Sequence, residues 1–331
     1  MSTPSPAQTA IRKVVVVGGA GFIGGHFVDR LLAAETTEQV TVYDNFSSGL
    51  ESNLAAHESD PRLVVVRGEV AHGSALREAM EGHDSAIHLA SNPDIAAAMA
   101  NPAIDFDEGT LLTHRVLEAM RQAGVGRIVY ASGSGVYGDL GEVPAEEDRG
   151  GLLPVSTYGA SKLAGEVLIS AYCHMFGMTG RIFRFGNVIG PRQSHGVGLD
   201  FVRKLLAEPL HLDVLGDGRQ SKSYIHVSDV LEAVLLAVAQ PEPPVRVFNV
   251  ATEDYLTVRE IADLAVEAVG LRPDDVEYRF SGGSRGWKGD VPVVRLDTSR
   301  IRGLGWKNER NTTEAMRAAL DALVEEQHRP R

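Results

Sequence analysis

The sequence carries one cysteine, Cys173, in 331 residues. A single thiol excludes an intramolecular disulfide framework and any cysteine-cluster metal site, and it suits a reducing cytosol. Nor does any segment approach the roughly 18 uninterrupted apolar residues that a membrane-spanning helix needs. The run Val14–Val17 is too short for a signal peptide and ends in glycines, which predicts a buried strand. Met1–Ala10 is polar and contains proline, so it is expected to be a flexible N-terminus. A basic excess is missing too: 32 Lys+Arg stand against 44 Asp+Glu, a formal net charge of −12. That balance argues against broad binding to nucleic acid or to an anionic membrane. Histidines and carboxylates show no ligand spacing that would predict a metal.

What is present is an ordinary globular composition, 44% hydrophobic and 23% charged. At roughly 100–200 residues per domain, the length predicts about two domains. Short β-branched runs alternate with helical patterns in the first half. Strands are expected at Val14–Val17, Val40–Tyr43, Leu63–Arg67, Ala86–Leu89, Arg127–Ala131 and Gly180–Arg184. Helices are expected over Phe22–Ala34, Ser74–Glu81, Ile104–Ala123 and Tyr158–Phe176. Alternation with continuous apolar strands predicts an α/β fold, a parallel sheet covered on both faces. After Asn187 glycines, prolines and polar residues dominate, and Pro241-Glu242-Pro243-Pro244 reads as a short loop. Thr257 with Glu260 three residues on is a capping-box pattern. The expected division is 11–185 as a nucleotide-binding domain, with strand-like segments in 223–250 returning to its sheet. Residues 186–222 and 251–325 would form a smaller mixed α/β lobe for a second ligand.

Gly18-Gly19-Ala20-Gly21-Phe22-Ile23-Gly24 follows the first strand and opens the first helix. Gly18 permits the tight turn, Gly21 a close approach of backbone to a pyrophosphate, and Gly24 close helix–strand packing. A glycine triplet alone is often only a turn. Here Asp44 ends the second strand 20 residues beyond Gly24, where a carboxylate binds a ribose 2′-hydroxyl and repels a 2′-phosphate. The pattern favours NAD over NADP. Tyr158-Gly159-Ala160-Ser161-Lys162 places a phenol and an ammonium four residues apart, on one helical face. A phenol is a poor base at neutral pH; a nearby cation, joined by the positive nicotinamide of oxidised cofactor, lowers its pKa. Alone the pair is usually a solvated helix face, but a dinucleotide fingerprint in the same domain makes it a catalytic candidate.

With these motifs, and with His88-Leu89-Ala90-Ser91, Val136-Tyr137-Gly138, Arg184-Phe185-Gly186-Asn187, Gly190-Pro191-Arg192, Tyr224-Ile225-His226-Val227 and Gly289-Asp290, the chain resembles the extended short-chain dehydrogenase/reductase family. The likeness is to its NAD-dependent nucleotide-sugar epimerase/dehydratase branch and covers about Ile11 to Leu323. It implies a Rossmann-type doubly wound sheet. It also implies that Phe22, Ile23, Asp44, Asn45, Glu69, Val70, Leu89, Ala90, Ser91 and Phe185 line the NAD site. Tyr158 would be the base, and Lys162 would orient the nicotinamide ribose and tune the tyrosine. Asn187 would touch the phosphates of a UDP-sugar, with Tyr224 nearby. Lys222 stands where similar enzymes carry a diphosphate-binding arginine; it keeps the charge and loses the bidentate fork. Arg285 and Asp290 would hold diphosphate and ribose. Arg192, Gln193 and His195, in the loop after Gly190-Pro191, would meet a sugar carboxylate or hydroxyls, or else make loop or dimer contacts.

One departure concerns the catalytic Ser or Thr that such enzymes place three residues before the Val-Tyr-Gly valine. Here that residue is Gly133, and Ser134, or failing it Ser132, would supply the hydroxyl. Similar 4,6-dehydratases carry Asp-Glu just before Val-Tyr-Gly, where this chain has Ser134 and Gly135. The resemblance therefore implies C4 epimerisation of a UDP-hexose or UDP-hexuronate. A 4,6-dehydratase or 4-ketoreductase is the alternative, and a non-catalytic NAD-binding regulator the remote one. It also implies a homodimer paired through the helices at Ile104–Ala123 and Tyr158–Phe176.

Overall fold

The computed structural model describes residues 11–70, 73–92, 98–241 and 243–328; the N-terminal Met1–Ala10 and Glu242 of the proline loop lie outside the described residues. The chain divides into two compact units. The first comprises 11–136, Thr157–Arg184 and Leu231–Phe248; the second comprises Tyr137–Ser156, Phe185–Val230 and 249–328. Two boundaries differ from the sequence expectation. Tyr137–Ser156 belongs to the second unit. From 223–250 only Leu231–Phe248 joins the first; Tyr224–His226 is a strand in the second unit, and Val227–Val238 is a helix rather than a strand. Its apolar Val227, Val230, Leu231, Val234 and Val238 recur at helical spacing and are buried.

The first unit is built on a seven-stranded parallel sheet. Its strands are β1 (Lys13–Val17), β2 (Gln39–Asp44), β3 (Leu63–Arg67), β4 (Ser85–His88), β5 (Arg127–Gly133), β6 (Thr179–Phe185) and β11 (Val245–Val250). Their order is β11-β6-β5-β4-β1-β2-β3. In β1 every valine from Val14 to Val17 is fully buried, since helices cover both faces and no alternation is required. The edge strand β3 departs from that pattern, with Val64 and Val65 exposed. Register sets Val17 beside Tyr43 of β2 and His88 of β4. The strand order reverses between β1 and β4, and in open α/β sheets ligands bind at the carboxyl ends beside such a reversal.

Helices α1 (Phe22–Leu32), α2 (Gly73–Met80), α3 (Leu112–Ala123) and α4 (Thr157–Phe176) belong to this unit. The single helix expected over Ile104–Ala123 is interrupted: Ala103–Asp105 is α-helical, Phe106–Leu111 is a π-helix, and α3 follows. Gly109, inside the π turn, comes so close to α4 that a Cβ there would lie 2.6 Å from Ser161 Oγ. Leu117 is wholly buried in the unit's own core.

The second unit holds three two-stranded sheets. They pair β7 (Asn187–Ile189) with β10 (Tyr224–His226), β9 (Ser221–Lys222) with β12 (Leu256–Thr257), and β8 (His211–Val214) with β13 (Glu277–Phe280). Helices α5 (Val197–Ala207), α7 (Val258–Ala268) and α8 (Thr312–His328) enclose its apolar core, and α6 (Val227–Val238) begins in it. The capping box forms as read: Thr257 Oγ1 accepts from the Glu260 amide while the Glu260 carboxylate accepts from the Thr257 amide. Among the described residues no helix is long and apolar enough to cross a membrane.

Candidate active site

The glycine-rich turn lies where β1 feeds α1. Gly18 has φ +84°, and a Cβ on it would lie 2.7 Å from the Ala90 amide nitrogen. A Cβ at Gly24 would overlap the Gly18 carbonyl oxygen, so only glycine lets α1 start this close to the turn. The Leu89 and Ala90 amides both donate to the Val17 carbonyl, folding the loop after β4 over the end of β1. Helix α1 opens at Gly21 with no side-chain cap and no acidic residue in its first turn. Bare amides at a helix N-terminus fit a pyrophosphate.

Asp44 is buried at the end of β2. Its Oδ2 accepts from the Ala20 amide at 2.9 Å and its Oδ1 from the Phe46 amide at 2.8 Å. The carboxylate thus braces the glycine-rich turn. Asn45 Nδ2 donates to both Glu69 carboxylate oxygens at 3.2 Å, and the Tyr43 hydroxyl donates to the Glu69 carbonyl. Phe22 is buried with its ring edge toward His26, and Ile23 is partly exposed beside it. Val70 packs into the core of the first unit, so its side chain is a wall behind the site. Phe185 is buried at the end of β6. Replacing Asp44 with alanine removes both charge-assisted bonds, each worth about 1.5–3 kcal/mol. NAD affinity is expected to fall at least tenfold, with NADP discrimination reduced, as titration calorimetry with each cofactor would read.

Lys162 is buried on the first turns of α4. Its ammonium donates to the Ala131 carbonyl at 2.9 Å and lies 5.6 Å from the centre of the Tyr158 ring. Burial lowers its pKa to about 8, against the opposing pull of Asp105 and Glu166. Tyr158 is half-buried. Burial, with the charge of Asp105, pushes its phenol up to about 12, while a hydrogen bond with the Ser91 side chain acts the other way. The resting pair at neutral pH is therefore phenol and ammonium.

The two serines separate. Ser132 is buried, and its hydroxyl donates to Glu166 Oε1 at 2.5 Å. That carboxylate also binds Arg184, with Nη2–Oε2 at 2.6 Å. In the structure the Ser132 hydroxyl is engaged with this buried ion pair. Ser134 lies past the strand end, in the 3₁₀ turn Ser134–Tyr137. This turn lies against α4, since a Cβ on Gly135 would sit 3.6 Å from the Gly159 Cα.

The residues expected to meet the sugar nucleotide all belong to the second unit. Asn187 Nδ2 donates to the Ser223 carbonyl at 3.1 Å, across the β7–β10 pair. Lys222 Nζ donates to Asp290 Oδ1 at 2.6 Å, and Asp290 Oδ2 accepts from the Gly286 amide at 3.1 Å. Arg285 reaches Asp139 Oδ2 at 2.6 Å and the Asp290 carbonyl. Lys222, Arg285 and Asp290 form one cluster, in which a diphosphate would compete with Asp290 for Lys222. Arg192 takes a left-handed φ of +64°, and its amide donates to Glu326. Gln193 Nε2 donates to the His195 carbonyl, holding that loop to itself. Tyr224 packs in the core of the unit.

The sequence reading missed Asp105, Asn92, Thr157, Glu166, Arg184 and Asp139. Glu166 carried a usable signal, being four residues beyond Lys162 on the same helical face.

A phosphate cradle beside a Tyr–Lys pair, on a doubly wound sheet, defines a nicotinamide-dependent enzyme of the short-chain dehydrogenase/reductase kind. The model of the NAD dependent epimerase/dehydratase family matches residues 14–251, and the chain belongs to that family. A UDP-glucose 4-epimerase of Mycolicibacterium smegmatis is 33% identical over 302 residues, 89% of this chain and 93% of its own. A crystal structure of UDP-galactose 4-epimerase is 34% identical with a TM-score of 0.84, covering 95% and 99% of the two chains. The dTDP-glucose 4,6-dehydratase DesIV of Streptomyces venezuelae, bound to NAD, is 28% identical with a TM-score of 0.86, covering 95% and 98%. MoeE5, solved with UDP-glucuronic acid and NAD, is 27% identical with a TM-score of 0.82, covering 95% and 99%. This chain is an NAD-dependent nucleotide-sugar epimerase/dehydratase.

Proposed function

We propose that the chain is a UDP-sugar 4-epimerase, inverting C4 of a UDP-hexose or UDP-hexuronate through a transient 4-keto sugar. The glycine-rich turn Gly18–Gly24 with Asp44 would hold NAD, which when bound would supply the acceptor and donor for the C4 hydride. Tyr158, ionised by the combined positive charges of Lys162 and of oxidised cofactor, takes the O4 proton as the C4–H bond breaks, becoming the phenol, and gives it back when the keto group is reduced. Lys162 stabilises the phenolate before that transfer and would orient the nicotinamide ribose. Ser134 donates a hydrogen bond to O4, replacing the hydroxyl that Gly133 lacks. A 4-keto sugar that turns over before reduction receives hydride on its other face, which inverts the centre.

The observation that carries this reading is the turn in front of α4. Gly135 opposes Gly159 there, and the turn Ser134–Tyr137 bears no carboxylate. Eliminating water across C5 and C6 needs an acid and a base at that place. A keto sugar facing a turn that carries no eliminating group has return of hydride as its open route. The likeness to MoeE5 favours including a UDP-hexuronate beside UDP-glucose and UDP-galactose. A homodimer belongs to the same reading, since Phe106 and Val167 are exposed apolar side chains that helix pairing would cover.

The test is incubation of NAD-loaded protein with UDP-glucose and with UDP-glucuronate, followed by separation of C4 epimers. Conversion toward the galacto epimer is expected from at least one of them. A stable 4-keto-6-deoxy sugar would establish a dehydratase instead, and no product from either sugar would sink the proposal.

A further inference from the structure

Asp105 has no task in the chemistry above, yet it is only 1% exposed beside the catalytic pair. Its Oδ1 accepts from Asn92 Nδ2 at 3.0 Å and its Oδ2 from Thr157 Oγ1 at 2.7 Å. Asn92 follows Ser91, the hydrogen-bond partner of Tyr158, and Thr157 immediately precedes Tyr158. One carboxylate therefore joins the loop after β4 to the first residue of α4. The π-helix Phe106–Leu111 starts at the next residue, and such turns concentrate at functional sites.

We propose that Asp105 is a positioning residue for the catalytic pair: a fixed buried anion that locks the Ser91–Asn92 loop to the start of α4 and keeps Lys162 cationic beside Tyr158. The charge acts on both partners, favouring the ammonium of Lys162 and opposing ionisation of Tyr158. Oxidised cofactor offsets the second effect with its own positive charge. Lys162 would then stay protonated through a cycle in which Tyr158 alone changes state.

Other charged and titratable groups face the pair without duplicating this role. Glu166 also favours the Lys162 ammonium, less strongly than Asp105 does, and pairs with Arg184 at 2.6 Å. His88 is fully buried, and burial with the charge of Lys162 lowers it to about 3, so it is neutral. Burial keeps Tyr130 protonated. On the exposed side, Glu108 is raised by partial burial and by Glu69, Asp105 and Asp107.

The inference rests on Tyr158 and Lys162 as the acid–base pair, so its test needs a readout independent of the sugar. Carbon-13 NMR of ε-labelled lysine in the NAD-loaded protein gives the Lys162 titration, with Lys162→Met identifying the resonance. In Asp105→Asn the midpoint is expected to drop by about one pH unit, a tenfold loss of proton affinity. Where turnover is measurable, both limbs of its pH profile move acidward together while KM changes little. Asp105→Ser, neutral and too short for either donor, gives the same displacement if the asparagine variant does not fold. Thr157→Val keeps the charge and breaks one bond, so it lowers kcat several-fold with the limbs in place. A Lys162 midpoint unchanged in the neutral variant overturns the proposal and leaves Asp105 a clamp. A protein that fails to epimerise any sugar, yet shows the NMR shift, overturns the epimerase reading alone.

Discussion

Tyr158→Phe is expected to lower turnover at least ~100-fold while NAD remains bound, because a positioned acid–base group contributes roughly 10²–10⁴-fold. Phenylalanine keeps the ring in the half-buried slot at the start of α4 and deletes only the hydroxyl. The cradle residues are distant in sequence and hold their own bonds, Asp44 to Ala20 and Leu89 to Val17 among them. Cofactor content should accordingly match that of the parent protein. Loss of the phenol also removes the partner of Ser91 and leaves Lys162 facing an apolar ring. Among the described residues, Asp105 is held by two donors and Tyr130 is kept protonated by burial, so neither stands in as the base. Steady-state rates with each UDP-sugar, alongside the absorbance of bound cofactor, check the result. A variant that keeps its full rate would remove Tyr158 from the chemistry and revive a role limited to NAD binding.

The first unit was legible because its signals are local. Four buried valines, a glycine turn that tolerates no Cβ and a carboxylate at the end of the next strand all lie within 31 residues, Val14 to Asp44. Tyr158 and Lys162 share a helical turn. What stayed hidden depends on partners far along the chain. Nothing near Ser132 reveals that its hydroxyl belongs to Glu166, 34 residues later, while Ser134 lies past the strand end. Asp105 sits in the acidic run Asp105-Phe106-Asp107-Glu108, which reads as a solvated helix face. The π turn breaks the helical period there, so spacing could not separate the buried acid from the exposed ones. Lys222 and Asp290 were each assigned to the nucleotide, but 68 residues of separation concealed that they bind one another.

Glu166→Ala should be the most destabilising of the substitutions considered, by about 3–5 kcal/mol, since it leaves a buried guanidinium without its carboxylate. Both side chains of the Glu166–Arg184 pair are 5% exposed, and Arg184 donates through Nε at 3.0 Å as well as through Nη2. Ser132 supplies a further donor to the same carboxylate. Removing the acid therefore takes the carboxylate from Arg184 and from the Ser132 hydroxyl at once. Glu166→Gln keeps an acceptor for Ser132 and the packing volume, so its cost should be smaller. A double replacement, Glu166→Leu with Arg184→Met, should recover most of the loss, because desolvating the pair already costs much of what its attraction returns. Urea unfolding of the three variants ranks them directly, and a cost below about 1 kcal/mol for Glu166→Ala would contradict a desolvated pair. The catalytic consequence has a defined sign. Glu166 is one of two anions favouring the Lys162 ammonium, so its loss lowers that pKa below about 8. The pair that anchors α4 to the sheet also keeps the catalytic lysine charged, and a stability defect and an acidward shift of Lys162 should appear in the same variant.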